Sequence, residues 1–271
     1  MVSPLLAKAA PLGREIVNVT PERAGWIHVG FRAVRLKTGE TEMVQTDNRE
    51  LCLVVLTGTV EVSVDSQTYS HLGTRNSVFD DISPAAVFVP AGKTVVVRAE
   101  RDSEVAFCTA PAGAKNHPEK QGVKVIDPTS MRRSVRGKGT NTRYICDILP
   151  HDDPTADHLL IVEVVTPASH SSSYPPHKHD VEQPPVETLL EETYYHRLNP
   201  PQGFAFQRVY TDDRSIDEAC AVEDHDVVMV PRGYHPVTAP HGYDLYYLNV
   251  MAGPNRFWVF KNDPVHEWML K

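Results

Sequence analysis

Short runs of β-branched residues, each ended by turn-forming residues, constrain this fold more than any other feature of the sequence. Examples are residues 60–64 (Val-Glu-Val-Ser-Val), 94–98 (Thr-Val-Val-Val-Arg) and 159–165 (Leu-Leu-Ile-Val-Glu-Val-Val). The 271 residues include 22 prolines and 15 glycines, and few stretches repeat their apolar residues with the 3.6-residue period of a helix. The sequence therefore predicts an all-β fold of antiparallel sandwiches or barrels. Residues 215–220 are the best candidate for a short helix.

Two sequence features of the first half recur in the second half, each after nearly the same number of residues. Glu50 and Glu192 each begin a strand-like run and are 142 residues apart. Pro90 and Pro231 each begin a Pro-x-Gly turn and are 141 residues apart. This agreement indicates an internal duplication, in which Glu50 is aligned with Glu192. We therefore expect two copies of one domain, residues 1–125 and residues 126–271.

The second half carries side chains that are typical of a metal site. His177 and His179 are two residues apart, so in an extended strand both imidazoles point to the same face. Glu192 and His235 follow them, and imidazole plus carboxylate is a ligand set for a divalent transition metal such as Zn, Mn, Fe or Ni. We expect these four residues to bind one metal per chain. Three neighbouring glutamates compete with Glu192 for the carboxylate position: Glu182, Glu187 and Glu191.

The first half lacks histidines at the corresponding positions. Residues 44–47 (Val-Gln-Thr-Asp) precede Glu50, and no histidine lies between His28 and His71. One carboxylate alone does not hold a transition metal. We therefore expect the first copy to be metal-free and to act as a packing partner of the second copy or as an oligomer interface. A homo-oligomer is left open.

The order HxH, Glu, Pro-x-Gly and His resembles the two-part signature of the cupins, so we expect a bicupin with two jelly-roll β-barrel domains. The spacing differs, because twelve residues separate His179 from Glu192 where the family has only a few. A segment of this length is often a lid over a site. Longer blocks are similar to those of the bicupin uronate isomerases, which include the 5-deoxy-glucuronate isomerases of bacterial myo-inositol catabolism: residues 19–26, 174–180, 190–203, 206–214 and 240–253.

This resemblance implies a metal-dependent aldose–ketose isomerase that converts 5-deoxy-D-glucuronate to 5-dehydro-2-deoxy-D-gluconate. Moving a proton from C2 to C1 requires a general base, for which we expect His241 first. The alternatives are a hydride shift without a base, or one of three other side chains: Tyr246, Glu191 and Glu187.

The carboxylate of a uronate substrate requires a cation. We expect Arg208 in this role, with Arg214 as the alternative. The basic segment 130–143 has two interpretations. It is either a solvated connection between the copies or an anion-binding loop in which a cation grips the substrate carboxylate: Arg136, Lys138 or Arg143.

Composition limits the partners of the protein. The formal net charge of −8 disfavours nucleic acid, so the expected partner is a small uronate-type sugar acid. No apolar run is long enough to predict a signal peptide or a membrane span, so we expect neither, and the four cysteines lie scattered in apolar runs without a CxxC pair. We therefore expect buried thiols in a cytoplasmic protein. Two other classes stay open, a cupin dioxygenase that uses iron and oxygen and a non-catalytic sugar-binding bicupin.

Overall fold

Antiparallel strands are the main secondary structure of the chain. A computed structural model describes residues 2–113 and 122–270, and it confirms the all-β prediction. Helical turns within these ranges are short: α1 (Pro21–Ala24) and the 3-10 turns Pro128–Ser130, Gly139–Asn141 and Pro264–Leu270. None of the described helices is long and apolar enough to cross a membrane.

The first half forms two sheets around an aliphatic core. Its strands are β1 (Leu6–Ala7), β2 (Glu15–Val19), β3 (Gly30–Leu36), β4 (Thr41–Gln45), β5 (Arg49–Thr57), β6 (Val60–Val64), β7 (Gln67–Leu72), β8 (Ala85–Val89), β9 (Thr94–Ala99), β10 (Ser103–Pro111) and β11 (Lys124–Ile126). One sheet has the order β11-β8-β5-β10-β3-β2, and the other has the order β4-β9-β6-β7. The valines, leucines and single phenylalanine between the two sheets are buried.

The second half forms its own pair of sheets. Its strands are β12 (Arg132–Arg136), β13 (Arg143–Leu149), β14 (Leu160–Thr166), β15 (Ser171–Ser172), β16 (His177–Lys178), β17 (Glu191–Asn199), β18 (Phe204–Tyr210), β19 (Asp217–Glu223), β20 (Val227–Val230), β21 (Val237–Thr238), β22 (Asp244–Ala252) and β23 (Lys261–Asn262). The larger sheet has the order β1-β20-β17-β22-β14-β13-β12, and the smaller has the order β15-β21-β18-β19. A separate ladder joins β16 to β23.

The two halves repeat one strand order. The run β8-β5-β10-β3-β2 corresponds to β20-β17-β22-β14-β13, and β4-β9-β6-β7 corresponds to β15-β21-β18-β19. A short strand extends each large sheet at the same edge, β11 beside β8 and β1 beside β20. The N-terminal strand thus pairs with the second half of the chain. This repetition confirms the predicted duplication, whereas the boundary at residues 125 and 126 stays a prediction.

A third apolar core lies between the two large sheets. It combines side chains of both halves, and the rings of Phe31 and Tyr195 have their centroids 5.2 Å apart there. A buried ion pair crosses the same interface, with Arg75 Nη2 2.7 Å from Glu163 Oε2. The hydroxyl of Tyr246 also donates to Glu163. The copies are therefore joined by a continuous core, and all four cysteines are buried and free as predicted.

Two carboxylates tie the copies together through the same type of contact. Glu50, on β5, accepts three backbone N–H groups of the second half at 2.7–2.8 Å. Glu191, on β17, accepts three backbone N–H groups of the first half at 2.6–2.9 Å. The donors lie just before β14 and just before β3: Asp157, His158 and Leu159 for Glu50, and Ile27, His28 and Val29 for Glu191.

Strand register shows which positions correspond in the two copies. Leu51 and Glu192 each pair with the valine that precedes the proline of a Pro-x-Gly turn. Leu51 therefore corresponds to Glu192, and Glu50 corresponds to Glu191. The sequence alignment of Glu50 with Glu192 is wrong by one residue, and one residue moves a strand side chain to the opposite face. Leu51 belongs to the aliphatic core of the first copy.

The predicted short helix at residues 215–220 is also wrong. Residues Asp217–Glu223 form β19, which pairs with β18 along its full length. Cys220 and Val222 are buried, while the residues on either side of each are partly or fully exposed. This two-residue alternation fits the face of a sheet and outweighs the helical preference of Glu218 and Ala219.

Candidate metal centre and its cavity

Three of the four predicted ligands converge inside the second half. The ligand atoms of His179, Glu192 and His235 all lie within 4.8 Å of one another. Glu192 Oε2 is 3.1 Å from His179 Nε2 and 3.2 Å from His235 Nε2. All three side chains are buried, so the group is shielded from bulk water.

Local structure explains each ligand position. Glu192 is the second residue of β17, so alternation turns it into the second copy, while Glu191 faces the first copy. His179 directly follows β16. His235 follows the turn at Gly233, whose φ of +94° favours glycine. A Cβ at that position would lie 2.5 Å from the carbonyl oxygen of Tyr210.

Backbone carbonyls orient two of the imidazoles. His179 Nδ1 is 3.0 Å from the carbonyl oxygen of Leu190, and His235 Nδ1 is 2.8 Å from that of Gly233. With each Nδ1–H donating to a carbonyl, each Nε2 presents a lone pair towards Glu192, which is the usual arrangement of a metal-binding histidine.

One ligand nitrogen has no hydrogen bond. His235 Nε2 is buried and makes none, because its 3.2 Å contact with Glu192 lacks hydrogen-bond geometry. Burial lowers the pKa of His235 to about 3, so its imidazole is neutral at pH 7. A buried lone pair that faces a carboxylate oxygen fits a bound cation. The donor set therefore fits a divalent transition metal.

The fourth predicted ligand lies beside this group. The ring centroid of His177 is 4.9 Å from that of His235 and 6.4 Å from that of His179. His177 is outside the set of ligand atoms that lie within 4.8 Å of one another. Burial lowers the pKa of His177 to about 3, and the neighbouring His179 contributes to this shift. A neutral imidazole is thus present at the edge of the group.

A cluster of charges holds the ligand-bearing segments in place. Lys178 points away from both neighbouring histidines, as alternation predicts, and its Nζ is 2.7 Å from Asp180 and 3.2 Å from Asp212. Asp180 accepts the backbone N–H of Gly233 at 2.9 Å. Glu187 accepts the backbone N–H of Asp180 at 2.7 Å. These contacts connect the HxH segment to the turn that carries His235.

The glutamates that compete with Glu192 have other partners. Glu187 belongs to the Lys178 cluster, and Glu191 binds the first copy. Glu182 accepts the backbone N–H of Leu189 and the amide of Asn255. Among the described residues, Glu192 is the carboxylate that meets the histidines.

A cavity of about 270 Å³ adjoins the ligand group. Glu192 and His177 form part of its wall, and aromatic side chains enclose it: Tyr194, Tyr247, Trp258 and Phe260. Polar side chains also line it: Arg136, Arg143, Ser173, Asn249 and Asn262. A cavity of mixed aromatic and polar walls next to a metal ligand is suited to a small, hydroxyl-rich molecule.

Comparison with known proteins places this arrangement in a family. The model of the KduI/IolB family matches residues 5–269. The chain belongs to the KduI/IolB family. A relative named 5-deoxy-glucuronate isomerase, from Geobacillus thermodenitrificans, is 50% identical to this KduI/IolB member over 256 residues, which are 94% of this chain and 91% of the relative. The prediction of an isomerase is confirmed at the level of the family.

Solved structures confirm the fold of this KduI/IolB member. An IolB-like protein from Salmonella typhimurium LT2 matches with a TM-score of 0.94 and 46% identity, covering 98% of this chain and 99% of that one. A Bacillus subtilis oxalate decarboxylase matches with a TM-score of 0.64 at 11% identity, covering 97% and 80% of the two chains. The second likeness concerns the fold alone, and it confirms the predicted bicupin.

Two residues predicted for chemistry lie outside the cavity. His241 is in an exposed turn, where its Nδ1 is 3.4 Å from the hydroxyl of Ser169. Arg208 is exposed, and its Nη2 is 2.7 Å from Asp217. Neither side chain is among those that line the cavity. Both lie near Glu192 or His235 in the sequence, but Arg208 is on an exposed face of β18 and His241 is in an exposed turn.

The predicted Tyr246 is displaced by one residue from the cavity. Its hydroxyl contacts Glu163 between the copies, whereas Tyr247, the next residue on β22, lines the cavity. Asn249 lines the cavity too, and it shares the strand face of Tyr247 because the two are two residues apart. Because side chains alternate along β22, Tyr247 and Asn249 could have been predicted from the sequence if the strand face that points into the cavity had been known.

The predicted lid does not line the cavity. Residues 180–191 are absent from its wall, which is instead formed in part by the C-terminal residues Trp258, Phe260 and Asn262. The two segments touch, since the hydroxyl of Thr188 donates to the carbonyl of Phe257 at 2.7 Å. A lid role for residues 180–191 stays a prediction.

Proposed function

We propose that this chain is a cytoplasmic, metal-dependent aldose–ketose isomerase that converts 5-deoxy-D-glucuronate to 5-dehydro-2-deoxy-D-gluconate. The observation that carries the proposal is the buried His179–Glu192–His235 group, whose Glu192 lines a cavity of mixed aromatic and polar walls. The specific substrate comes from the relatives, which are named for it and match almost the whole chain.

We assign one metal per chain to His179, Glu192 and His235, with His177 as the fourth ligand. When bound, a divalent transition metal would supply Lewis-acid chemistry that polarises a carbonyl and stabilises negative charge on adjacent oxygens. The protein contributes pre-oriented imidazoles, because His179 and His235 are fixed by backbone carbonyls.

Two tyrosines supply hydrogen-bond donors for the reacting sugar. Burial raises the pKa of both Tyr194 and Tyr247, so both hydroxyls stay protonated at neutral pH. The Tyr194 hydroxyl is 3.2 Å from that of Ser173, at the wall of the cavity. Protonated hydroxyls in a water-poor site stabilise negative charge that develops on substrate oxygens during isomerisation.

Aromatic rings limit the access of water to the site. Phe260 lies with its ring centroid 4.6 Å from that of His177 and 6.1 Å from that of Trp258. Excluding water strengthens the polar contacts to the substrate and protects it from side reactions. Transfer of a proton from C2 to C1 by a base requires a group that faces this cavity. Neither His241 nor Tyr246 faces it.

The test is turnover of 5-deoxy-D-glucuronate by purified protein without oxygen, nicotinamide or flavin, followed by NMR. We expect conversion to the ketose, loss of activity with a chelator, and loss of activity in Glu192→Gln. Failure of the folded, metal-loaded protein to convert this sugar would contradict the proposal. Oxygen consumption with another substrate would then favour a dioxygenase, and binding of sugar without turnover would favour a binding protein.

A further inference from the structure

Arg143 is a cation without a described carboxylate partner in the wall of the cavity. It is the first residue of β13, is partly buried and lines the cavity together with Glu192. Its Nη1 donates to the backbone and side-chain oxygens of Asn141 at 3.0 and 3.1 Å. Within residues 2–113 and 122–270, no carboxylate oxygen forms an ion pair with it. Much of this guanidinium is therefore available to a ligand.

A second arginine stands at the mouth of the same cavity. Arg136 is exposed, lines the cavity and lies with its guanidinium carbon 5.7 Å from the ring centroid of Trp258. In the described part of the chain it too has no carboxylate ion pair. A guanidinium over an aromatic face is attracted to the ring and can still donate from its N–H edge.

The two arginines are close enough to affect the same groups. Burial lowers the pKa of Arg143, and the charge of Arg136 contributes in the same direction. Two like charges in the wall of one cavity repel each other, and a bound anion would offset that cost. This places a positive region next to the candidate metal ligands.

A buried donor points to the same ligand chemistry. Asn249 is 4% exposed, lines the cavity and lies opposite Tyr194 in the sheet. Among the described residues its Nδ2 has no partner with full hydrogen-bond geometry, although its side chain also interacts with the Tyr194 hydroxyl. A buried amide of this kind can donate to a ligand oxygen. The cavity thus combines two open guanidinium groups and a buried amide donor.

We propose that Arg143, assisted by Arg136, forms the subsite that binds the carboxylate of the sugar acid. A uronate carries its carboxylate at C6, four bonds from the C2 carbon that reacts. Guanidinium groups match a carboxylate with two parallel hydrogen bonds, which fixes the direction in which the sugar lies. The identity of the sugar acid rests on the proposed function, but the requirement for a carboxylate does not. Arg208, chosen from the sequence, has no part in this subsite.

The experiment compares binding of D-glucuronate and of its uncharged methyl ester by calorimetry on the metal-loaded protein. The wild type is expected to bind the acid at least about tenfold more tightly than the ester, the equivalent of one charge-assisted contact. Arg143→Gln is expected to reduce this preference to within about twofold, and Arg136→Gln to reduce it partly. Arg208→Gln removes the same charge outside the cavity and is expected to keep the full preference.

Thermal unfolding checks that each variant is folded, and Arg136→Gln, at an exposed position, tests the subsite even if Arg143→Gln does not fold. An undiminished preference in both Arg143→Gln and Arg136→Gln overturns the inference, as does a wild type without a preference for the acid. Turnover of 5-deoxy-D-glucuronate is measured in parallel. If the protein prefers the acid over the ester but does not turn over 5-deoxy-D-glucuronate, the proposed reaction is contradicted and the carboxylate subsite still stands.

Discussion

Replacement of Glu191 by Gln tests whether the first copy positions the metal ligands of the second. Glu191 accepts three backbone N–H groups of the first copy and immediately precedes Glu192 in β17. Glutamine keeps the shape but presents an NH₂ group to at least one of these donors. A buried N–H group left without an acceptor costs about 1–3 kcal/mol.

Glu50→Gln is the matched control, because Glu50 accepts three N–H groups in the corresponding place of the other copy. Burial raises the pKa of Glu50, so removing its charge also removes part of the desolvation cost. We therefore expect each variant to lose about 2 kcal/mol of unfolding free energy, which lowers the thermal midpoint by roughly 4–8 °C.

The two variants should differ at the metal centre. Glu50 precedes Leu51, which lies in an aliphatic core, whereas Glu191 precedes a ligand. Loss of outer contacts around metal ligands typically lowers affinity by about 10–100-fold. We expect Glu191→Gln to weaken metal binding by about tenfold in a chelator competition and Glu50→Gln to leave it within about twofold. Equal metal affinities in two equally destabilised variants would refute this coupling between the copies.

Three further outcomes follow from the site. His177→Ala should weaken metal binding by at least about tenfold, and an unchanged affinity in chelator competition would remove His177 from the ligand set. Shortening the exposed segment 181–186 should lower turnover while the metal content holds, and a normal rate would show that this segment is only a connection. Isomerisation in heavy water should place deuterium at C1 if a proton is transferred, and product without deuterium would favour a hydride shift.

The candidate metal centre could be predicted from the sequence because its chemistry lies in residue types and in strand alternation. His177 and His179 share a face through their spacing, and Glu192 and His235 follow strand and turn signals. The β-strand pattern and the turn residues gave the all-β class in the same way. These features are local, so they do not depend on how distant strands pair.

The errors arose where one residue of register or a distant strand decides the outcome. Aligning Glu50 with Glu192 was wrong by one position, which reverses the face of a strand. Tyr246, a candidate base, likewise faces away from the cavity that its neighbour Tyr247 lines. Arg143 is remote from Glu192 in sequence, but the order β17-β22-β14-β13 returns its strand to the cavity. The basic segment 130–143 could be recognised in the sequence, but its position beside the cavity depends on the order of the strands in the sheet.

The central claim is that one metal, held by His179, Glu192 and His235, supports isomerisation. The most direct test strips the metal, adds it back in known amounts, and measures bound metal by elemental analysis together with anaerobic turnover of 5-deoxy-D-glucuronate. We predict that activity rises in proportion to bound metal and saturates at one equivalent per chain, and that His179→Ala neither retains metal nor turns over. Full activity of the stripped protein, or a full equivalent of metal in His179→Ala, would contradict the account.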